Sequence, residues 1–368
     1  MSSPLAWIYT APYKGIGGFQ RYANSVIKYV GKICEIGVYD TIPHEEVATY
    51  ISSPLTSTKV DTLVNFAHLT VHSRLTNEMN ILHYPAQFYA FRVPKIGYSP
   101  PHTLPNADSF VMTIHDLAFK YSGGGPLEDT MRQIRRHKDD LDHIITVSEF
   151  SKRDIIDYLD IPEERVSVIH NCVDVEVFNP IQTQVDDKVL SRFDIENPFI
   201  FHLSNGSRRK KVMNLINSFY HADTKKSLVL AGGAARTERI RSQVADLDLE
   251  DRVTYITEII PDEELAAIYR QADALVLPSS LEGFGYPIIE ALACGTECLL
   301  ADSTALREVG GDVCRYVTSD DVEALTSGIE SLNSVNKDFY DGVSLVEEKY
   351  SPKTFAQNHI DVYQNLVE

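Results

Sequence analysis

Cysteine is scarce in this 368-residue chain. Its five residues, Cys34, Cys172, Cys294, Cys298 and Cys314, are odd in number and form no C-x-x-C pair. That argues against a disulfide framework or a cysteine-held metal and for buried or incidental thiols in a reducing compartment. Positive charge is also short, with 34 Lys+Arg against 52 Asp+Glu and a net charge of −18. With no basic stripe to offset that deficit, nucleic acid is not expected as a partner. Nowhere do apolar residues run unbroken for the ~18 positions of a membrane span. The opening "MSSPLAWIYTAPYKG" has no basic stretch followed by an apolar run, so no signal peptide is expected. The "NGS" at Asn205–Ser207 then reads as a chance sequon. There is no solenoid-length repeat and no low-complexity tract.

What remains is an ordinary globular composition, 43% hydrophobic and 23% charged, long enough for two domains. Short apolar runs alternate with helical patterns. "LAWIY", "SFVMTIHD", "HIITVS" and "VSVIH" read as buried parallel strands, with helices such as "GFQRYANSVIKYV" and "SEFSKRDIIDYLD" between them. Ser148 is placed to cap the latter. The rhythm breaks across "FNPIQTQVDDKVLSRFDIENPF", which puts a boundary near residues 178–197. A second series follows: "FIFHLS", "SLVLAGG", "VTYIT", "ALVLPSS" and "ECLLAD", each but the last leading into a helix. The expected class is therefore α/β, with two doubly wound Rossmann-like domains, residues 1–180 and 181–349, facing across a cleft. Ligands of such sheets lie beyond the C-terminal strand ends, and the cleft is the default site.

The most informative stretch is "PSSLEGFGYPIIEALACG", Pro278–Gly295. A strand leads into a loop, Pro287 suits a first helical turn, and Gly295 is a natural left-handed stop. Gly283 and Gly285 allow close backbone approach, and the helix N-terminus beyond them favours an anion such as a diphosphate. Glu282 and Glu290 lie on either side of that turn. Each carboxylate can accept from two hydroxyls of a sugar, which together describes a nucleotide-sugar. Equally, Glu290 suits a helix start and Glu282 a solvated loop charge.

Other candidates carry the same two-sided reading. Arg209 and Lys210 follow the first strand of the second series, where they form either a diphosphate clamp or part of a solvated basic run. Gly17 and Gly18 form a bare βα turn that does not fit G-x-G-x-x-G. His115 closes a strand, where it is either directed at a ligand or packed, and Asp116 suits a cap. "DDLD", Asp139–Asp142, contains Asp-x-Asp but falls in a predicted helix and reads as a solvated face. Gly232 and Gly233 of "LAGG" read as a βα turn.

Taken in order, these segments resemble the family 4 retaining glycosyltransferases of the two-Rossmann GT-B fold. "EGFGYPIIE" matches their E-x7-E signature, "GIGGFQRYA" their N-terminal glycine loop, and "SRRKKVMNLINSF" their basic motif. "TIHDLAF", "IITVSEFSKRDII", "ERVSVIHNCVDVEVFNP" and "YITEIIPDEELAAIYRQADALVLPSSLEGFG" resemble further segments of the family, so the likeness spans nearly the whole chain.

The resemblance implies a hexosyltransferase taking a nucleoside-diphosphate sugar as donor, with no cofactor and no metal. It assigns His115, Glu282, Arg209 and Lys210 to the reacting end. Gly17, Gly18, Gly283, Phe284, Gly285 and Glu290 are assigned to donor binding, with Glu290 on the ribose. Registration on the family's helix selects Lys210 and leaves Lys211 where asparagine is common. Residues 256–258 fall where relatives hold the base, and Cys172 stands where relatives have glycine. Residues 1–180 become the acceptor side, 181–349 the donor side, and helix 350–368 is implied to cross back onto the first domain. The branch with "HDLAF" and an "RK" motif is rich in mannosyltransferases, which makes GDP-mannose the first donor and UDP-glucose the next. The acceptor implied is a glycan or lipid-linked glycan, with a cytoplasmic location and room for peripheral contact at the inner membrane face. "MRQIRRHK", Met131–Lys138, is the basic segment available for such contact, and it also reads as a solvated face. An epimerase or phosphorylase, or a non-catalytic nucleotide-sugar-binding protein, is the alternative on the same fold.

Overall fold

The computed structural model describes residues 6–9, 18–40, 49–52, 79–85, 107–122, 126–332 and 340–367. The chain separates into two compact units. One joins Met1–Asn171 to Pro352–Glu368, and the other is Cys172–Ser351.

The first unit is built on seven parallel strands: β1 (Ala6–Tyr9), β2 (Ile36–Asp40), β3 (Thr49–Ser52), β4 (Met79–Tyr84), β5 (Ala107–Thr113), β6 (His143–Thr146) and β7 (Val166–Val168). Their order is 3-2-1-4-5-6-7, so the winding reverses between β1 and β4. Met112, Ile144 and Val166 of three adjacent strands pack with Met131 and Ile134 from helix Pro126–Arg136 and Ile155 and Leu159 from helix Glu149–Leu159. Ser148 caps the latter helix, its hydroxyl accepting from the Ser151 N–H at 3.1 Å. The terminal helix Pro352–Val367 belongs to this unit. It buries Phe355, His359 and Tyr363 at i, i+4 and i+8, one continuous stripe. Along that stripe His359 meets the Tyr22 hydroxyl at 2.8 Å and Tyr363 meets His83 at 2.6 Å.

The second unit carries β8 (Phe199–Ser204), β9 (Ser227–Gly232), β10 (Val253–Ile256), β11 (Ala274–Leu277), β12 (Glu297–Ala301) and β13 (Arg315–Val317), all parallel, in the order 10-9-8-11-12-13. Continuous apolar runs form these strands because helices cover both faces. Helix Val212–His221 places Val212, Leu215, Ile216 and Phe219 on one face, against Ile200, Leu228 and Val276. The chain winds outward through β9 and β10, then returns to the other side of β8 with β11. The crevice beyond the C-terminal ends of β8 and β11 is therefore the topological switch point where ligands of such sheets bind.

Two local expectations come out differently. Residues 178–197 are not a bare connector: they contain helix Asp186–Arg192, and the units part at 171/172. Asp186, 1% exposed, is held by Arg270 through bonds of 2.7 and 2.8 Å, so this acidic residue of the polar run is structural. "DDLD" is not a helix face. Lys138–Asp140 is a single 3-10 turn, and the Asp142 carboxylate accepts from the Phe110 N–H at 2.7 Å, fastening the start of β6 to β5.

Candidate active site

The loop after β8 begins with a forced glycine. Gly206 has φ +72°, and a Cβ there would lie 2.7 Å from the Thr237 hydroxyl and 3.1 Å from the Ala234 backbone. Its N–H donates to the Ser204 hydroxyl at 3.2 Å. That hydroxyl in turn lies 2.8 Å from Nε2 of buried His202, whose Nδ1 lies 2.8 Å from the Val276 carbonyl. A carbonyl only accepts, so Nδ1 carries the proton and Nε2 accepts from Ser204. Burial pushes the His202 pKa down to about 4, so the neutral tautomer holds at neutral pH. The loop is thus anchored to both central strands. It continues as the 3-10 turn Arg208–Lys210, then Lys211 at φ +52° turns the chain into helix Val212–His221.

The loop after β11 closes against it. Ser280 donates its backbone N–H to the Arg209 carbonyl at 2.8 Å, and the Arg209 guanidinium donates to the Leu281 carbonyl at 2.7 Å. The Glu282 N–H donates to the Thr304 hydroxyl at 3.0 Å. Glu282 is held at its backbone and is buried, and its two carboxylate oxygens take two cations. Oε2 accepts from Arg209 at 3.1 Å, and Oε1 pairs with Lys210. Burial raises the Glu282 pKa, but the Lys210 and Arg209 charges outweigh it and hold the carboxyl below its ordinary value. Two cations against one carboxylate leave a net positive, water-poor corner at the switch point, which is the field a diphosphate requires.

Beyond that corner, Gly285 has φ +105°, a conformation glycine tolerates, and starts helix Tyr286–Ala293 with no side-chain cap. The helix ends at Ala293, and Gly295, two residues on, turns the chain at φ +73°. Glu290, 1% exposed, lies in its second turn and accepts from the Tyr269 hydroxyl at 2.9 Å. Tyr269 is itself fully buried, edge-on to Phe201 at 5.4 Å. Gly283 is buried. The Phe284 side chain is core, its ring 5.8 Å from that of Tyr350 and 6.0 Å from that of Tyr286. The corner thus gathers Arg209, Lys210, Glu282, Gly283 and Gly285. Glu290 lies deeper, on a separate partner.

His115 belongs to the first unit, just past β5. Its Nε2 donates to the Pro85 carbonyl at 3.0 Å, and burial holds the ring neutral with a pKa of about 4. The Tyr22 ring stands edge-on to it at 4.8 Å. Tyr22 lies on helix Gly18–Ser25, whose first residue is Gly18, so the glycine-loop helix and His115 are neighbours. Gly17 lies outside the described residues. Asp116, expected as a cap, instead makes a tight turn ahead of helix Phe119–Ser122, accepting from the Ala118 N–H at 2.9 Å. The Thr257 carbonyl, within the segment resembling the base site, accepts from Arg236 at 2.6 Å. On helix Pro126–Arg136, Arg132 pairs with Glu128 at 3.0 Å and Arg135 lies over the Tyr158 ring at 5.4 Å, so these two charges are already engaged.

Sequence reasoning passed over Ser280, Thr304, His202 and Tyr269. Each acts through a partner distant in sequence, and no local spacing announces that partner. For His202 alone there is a signal: a histidine inside an apolar strand must hydrogen-bond on both nitrogens or stay neutral.

The matches to known proteins agree with this geometry. Residues 186–339 match the profile of "Glycosyl transferases group 1", and residues 106–177 that of "Glycosyltransferase Family 4". This chain belongs to the family 4 glycosyltransferases. By that membership it is a hexosyltransferase. An O-antigen chain mannosyltransferase of Salmonella typhimurium is 26% identical over 66% of this chain and 65% of its own length. O-antigen chain mannosyltransferase B of Escherichia coli is 24% identical over 94% of this chain and 93% of its own. Among solved structures, the HepE protein of Anabaena in complex with UDP and glucose superposes with a TM-score of 0.78. It is 16% identical, covering 98% of this chain and 100% of that one, a likeness of fold. No described helix is long and apolar enough to cross a membrane.

Proposed function

We propose that this glycosyltransferase moves a mannosyl group from GDP-mannose to a hydroxyl of a glycan, with retention at the anomeric carbon. The observation that carries the reading is the Arg209–Glu282–Lys210 cluster at the β8/β11 switch point, in a chain related to two O-antigen chain mannosyltransferases. A donor diphosphate takes over the two cations and the uncapped N-terminus of helix Tyr286–Ala293. The bond from the anomeric carbon to the β-phosphate oxygen breaks, and the acceptor oxygen bonds to the same face of that carbon. The acceptor's proton passes to the departing diphosphate. Arg209 and Lys210 stabilise the charge that develops on that leaving group, the task a metal ion performs in other transferases. Glu282, released from its cations, orients the sugar, and Glu290 holds the ribose in reach of the Tyr269 hydroxyl. The acceptor is a glycan or lipid-linked glycan, and in the latter case the enzyme works from the cytoplasmic side in peripheral contact with the membrane.

The likeness to a structure holding UDP and glucose makes UDP-glucose the second donor. Thermal unfolding with GDP, UDP, GDP-mannose and UDP-glucose separates the two. A rise in Tm with the guanine pair alone supports mannose, the uracil pair alone supports glucose, and no rise with any of the four refutes the reading.

A further inference from the structure

We propose that the second unit carries a separate site for a phosphate monoester, lying on the other side of the β8 loop from the Glu282 cluster. A cavity of about 620 Å³ opens there, and Arg209, Lys210, Glu282 and Glu290 are not among its lining residues. Arg208 and Arg239 line it, both exposed. Neither guanidinium has an ion pair or hydrogen bond among the described residues. Two arginines on one cavity wall, in a chain of net charge −18, make a local positive patch with no carboxylate partner for either guanidinium among the described residues. The Ser207 hydroxyl, on the same wall, is buried with no hydrogen-bond partner, an arrangement that normally costs stability unless a ligand or water completes it. Helices Val212–His221 and Glu238–Asp246 both begin at this cavity, and neither N-terminus has a side-chain cap. Thr237, at the second of them, gives its hydroxyl to the Gly233 carbonyl instead. Two sets of first-turn N–H groups therefore add to the two arginines. Lys211 also lines the cavity, though its Nζ is engaged by Asp320.

Guanidinium groups from two elements can each donate to phosphate oxygens of one ligand in this cavity. The volume exceeds what a bare ion fills and lies within the range of small-molecule pockets, about 300–1,000 Å³. Met213 and Ile240 add an apolar strip on which an organic body can rest. The ligand is therefore a phosphorylated small molecule, either a sugar phosphate or a nucleoside monophosphate. The inference does not rest on the transfer reaction, because no residue of the proposed catalytic corner takes part.

The test is calorimetric titration at pH 7.5 and low ionic strength with glucose 6-phosphate, GMP and inorganic phosphate, using the full chain. The proteins are the parent, the double variant R208A/R239A, and K210A. Saturable binding of one ester is expected in the parent, weakened about tenfold or more in R208A/R239A and unchanged within about twofold in K210A. Which ester binds tells the sugar from the nucleoside body. Both arginines are exposed, so the double variant is expected to keep the parent Tm. No saturable binding to the parent overturns the proposal. Loss of binding in K210A assigns the anion to the Glu282 cluster and also overturns it. Equal affinity for inorganic phosphate and the esters removes the organic ligand and reduces the site to a simple anion hole.

Discussion

The backbone N–H of Ser280 donates to the carbonyl of Arg209 at 2.8 Å, which latches the loop after β11 to the loop after β8. Through that latch the Glu282 carboxylate meets both cations, so loop geometry and charge balance are one construction. Arg209 takes part in both, since its guanidinium also holds the Leu281 carbonyl. Arg209→Ala is therefore expected to lower Tm as well as donor affinity, by roughly 1–3 kcal/mol for lost charged hydrogen bonds. Lys210→Ala is expected to weaken donor binding about tenfold or more with a smaller change in Tm. Equal Tm losses in the two variants would show that the latch does not depend on the arginine.

Glu282→Gln separates the two roles of that carboxylate. The amide keeps the shape and removes the charge, which frees Arg209 and Lys210 for an incoming diphosphate. Nucleoside diphosphate is expected to bind as well as in the parent or better, while transfer falls about 100-fold, the scale for losing one transition-state contact. Binding and transfer falling together would mean that Glu282 only builds the pocket.

Much of this corner is legible in the sequence because it is local. Apolar strand runs, Pro287 near a helix start, Gly285 before it and Gly295 after it report conformation directly, and Arg209 and Lys210 stand one loop beyond a readable strand. Phe284 shows where that legibility ends. The resemblance assigns it to donor binding, yet its ring is in the core against Tyr350, whose partnership no spacing predicts. Likewise Tyr269 lies on a different helix from Glu290, and Asp142 looks solvated until β5 supplies an N–H. Side-chain direction in these cases is set by tertiary contacts, which a periodic pattern does not encode.

Glu290 and Tyr269 offer a clean dissection. Glu290→Ala leaves the fully buried Tyr269 hydroxyl without this acceptor, so a loss of about 1–3 kcal/mol in chemical denaturation is expected. Tyr269→Phe takes a donor from the buried Glu290 carboxylate and is expected to cost a similar amount. If Glu290 holds ribose, Glu290→Gln raises the donor KM while Tm stays near that of the parent. An unchanged KM would confine Glu290 to its bond with Tyr269.

Lys211 occupies a left-handed conformation, φ +52°, that asparagine and glycine adopt more readily. Its ion pair with Asp320, whose side chain is 66% exposed, contributes little. Lys211→Asn is thus expected to hold or raise stability, by up to about 1 kcal/mol. A clear fall in Tm would mean that the ion pair outweighs the backbone strain.

Acid is expected to loosen this protein through its buried histidines. His83, His359, Tyr22, Thr113 and Tyr363 form one hydrogen-bonded chain that ties the terminal helix to β4 and β5. Burial lowers the His83 pKa, with a further push from His359 and His115, and takes His115, His202 and His359 down to about 4. An unfolded chain binds these protons near pH 6.5; the folded one takes them only near 4 at His115, His202 and His359 and well below 6.5 at His83. The stability that neutrality contributes is therefore complete above about pH 6.5, declines as pH falls, and levels off below 4. His115, His202 and His359 are each expected to cost on the order of 1–2 kcal/mol between pH 7 and pH 5. Glu282, whose pKa is depressed, adds a further loss only below its ordinary carboxylate range. Urea denaturation across pH 4–8 reads the slope directly, and His359→Gln is expected to flatten it by one histidine's share. A stability profile level from pH 7 to pH 5 would contradict the neutral, buried network.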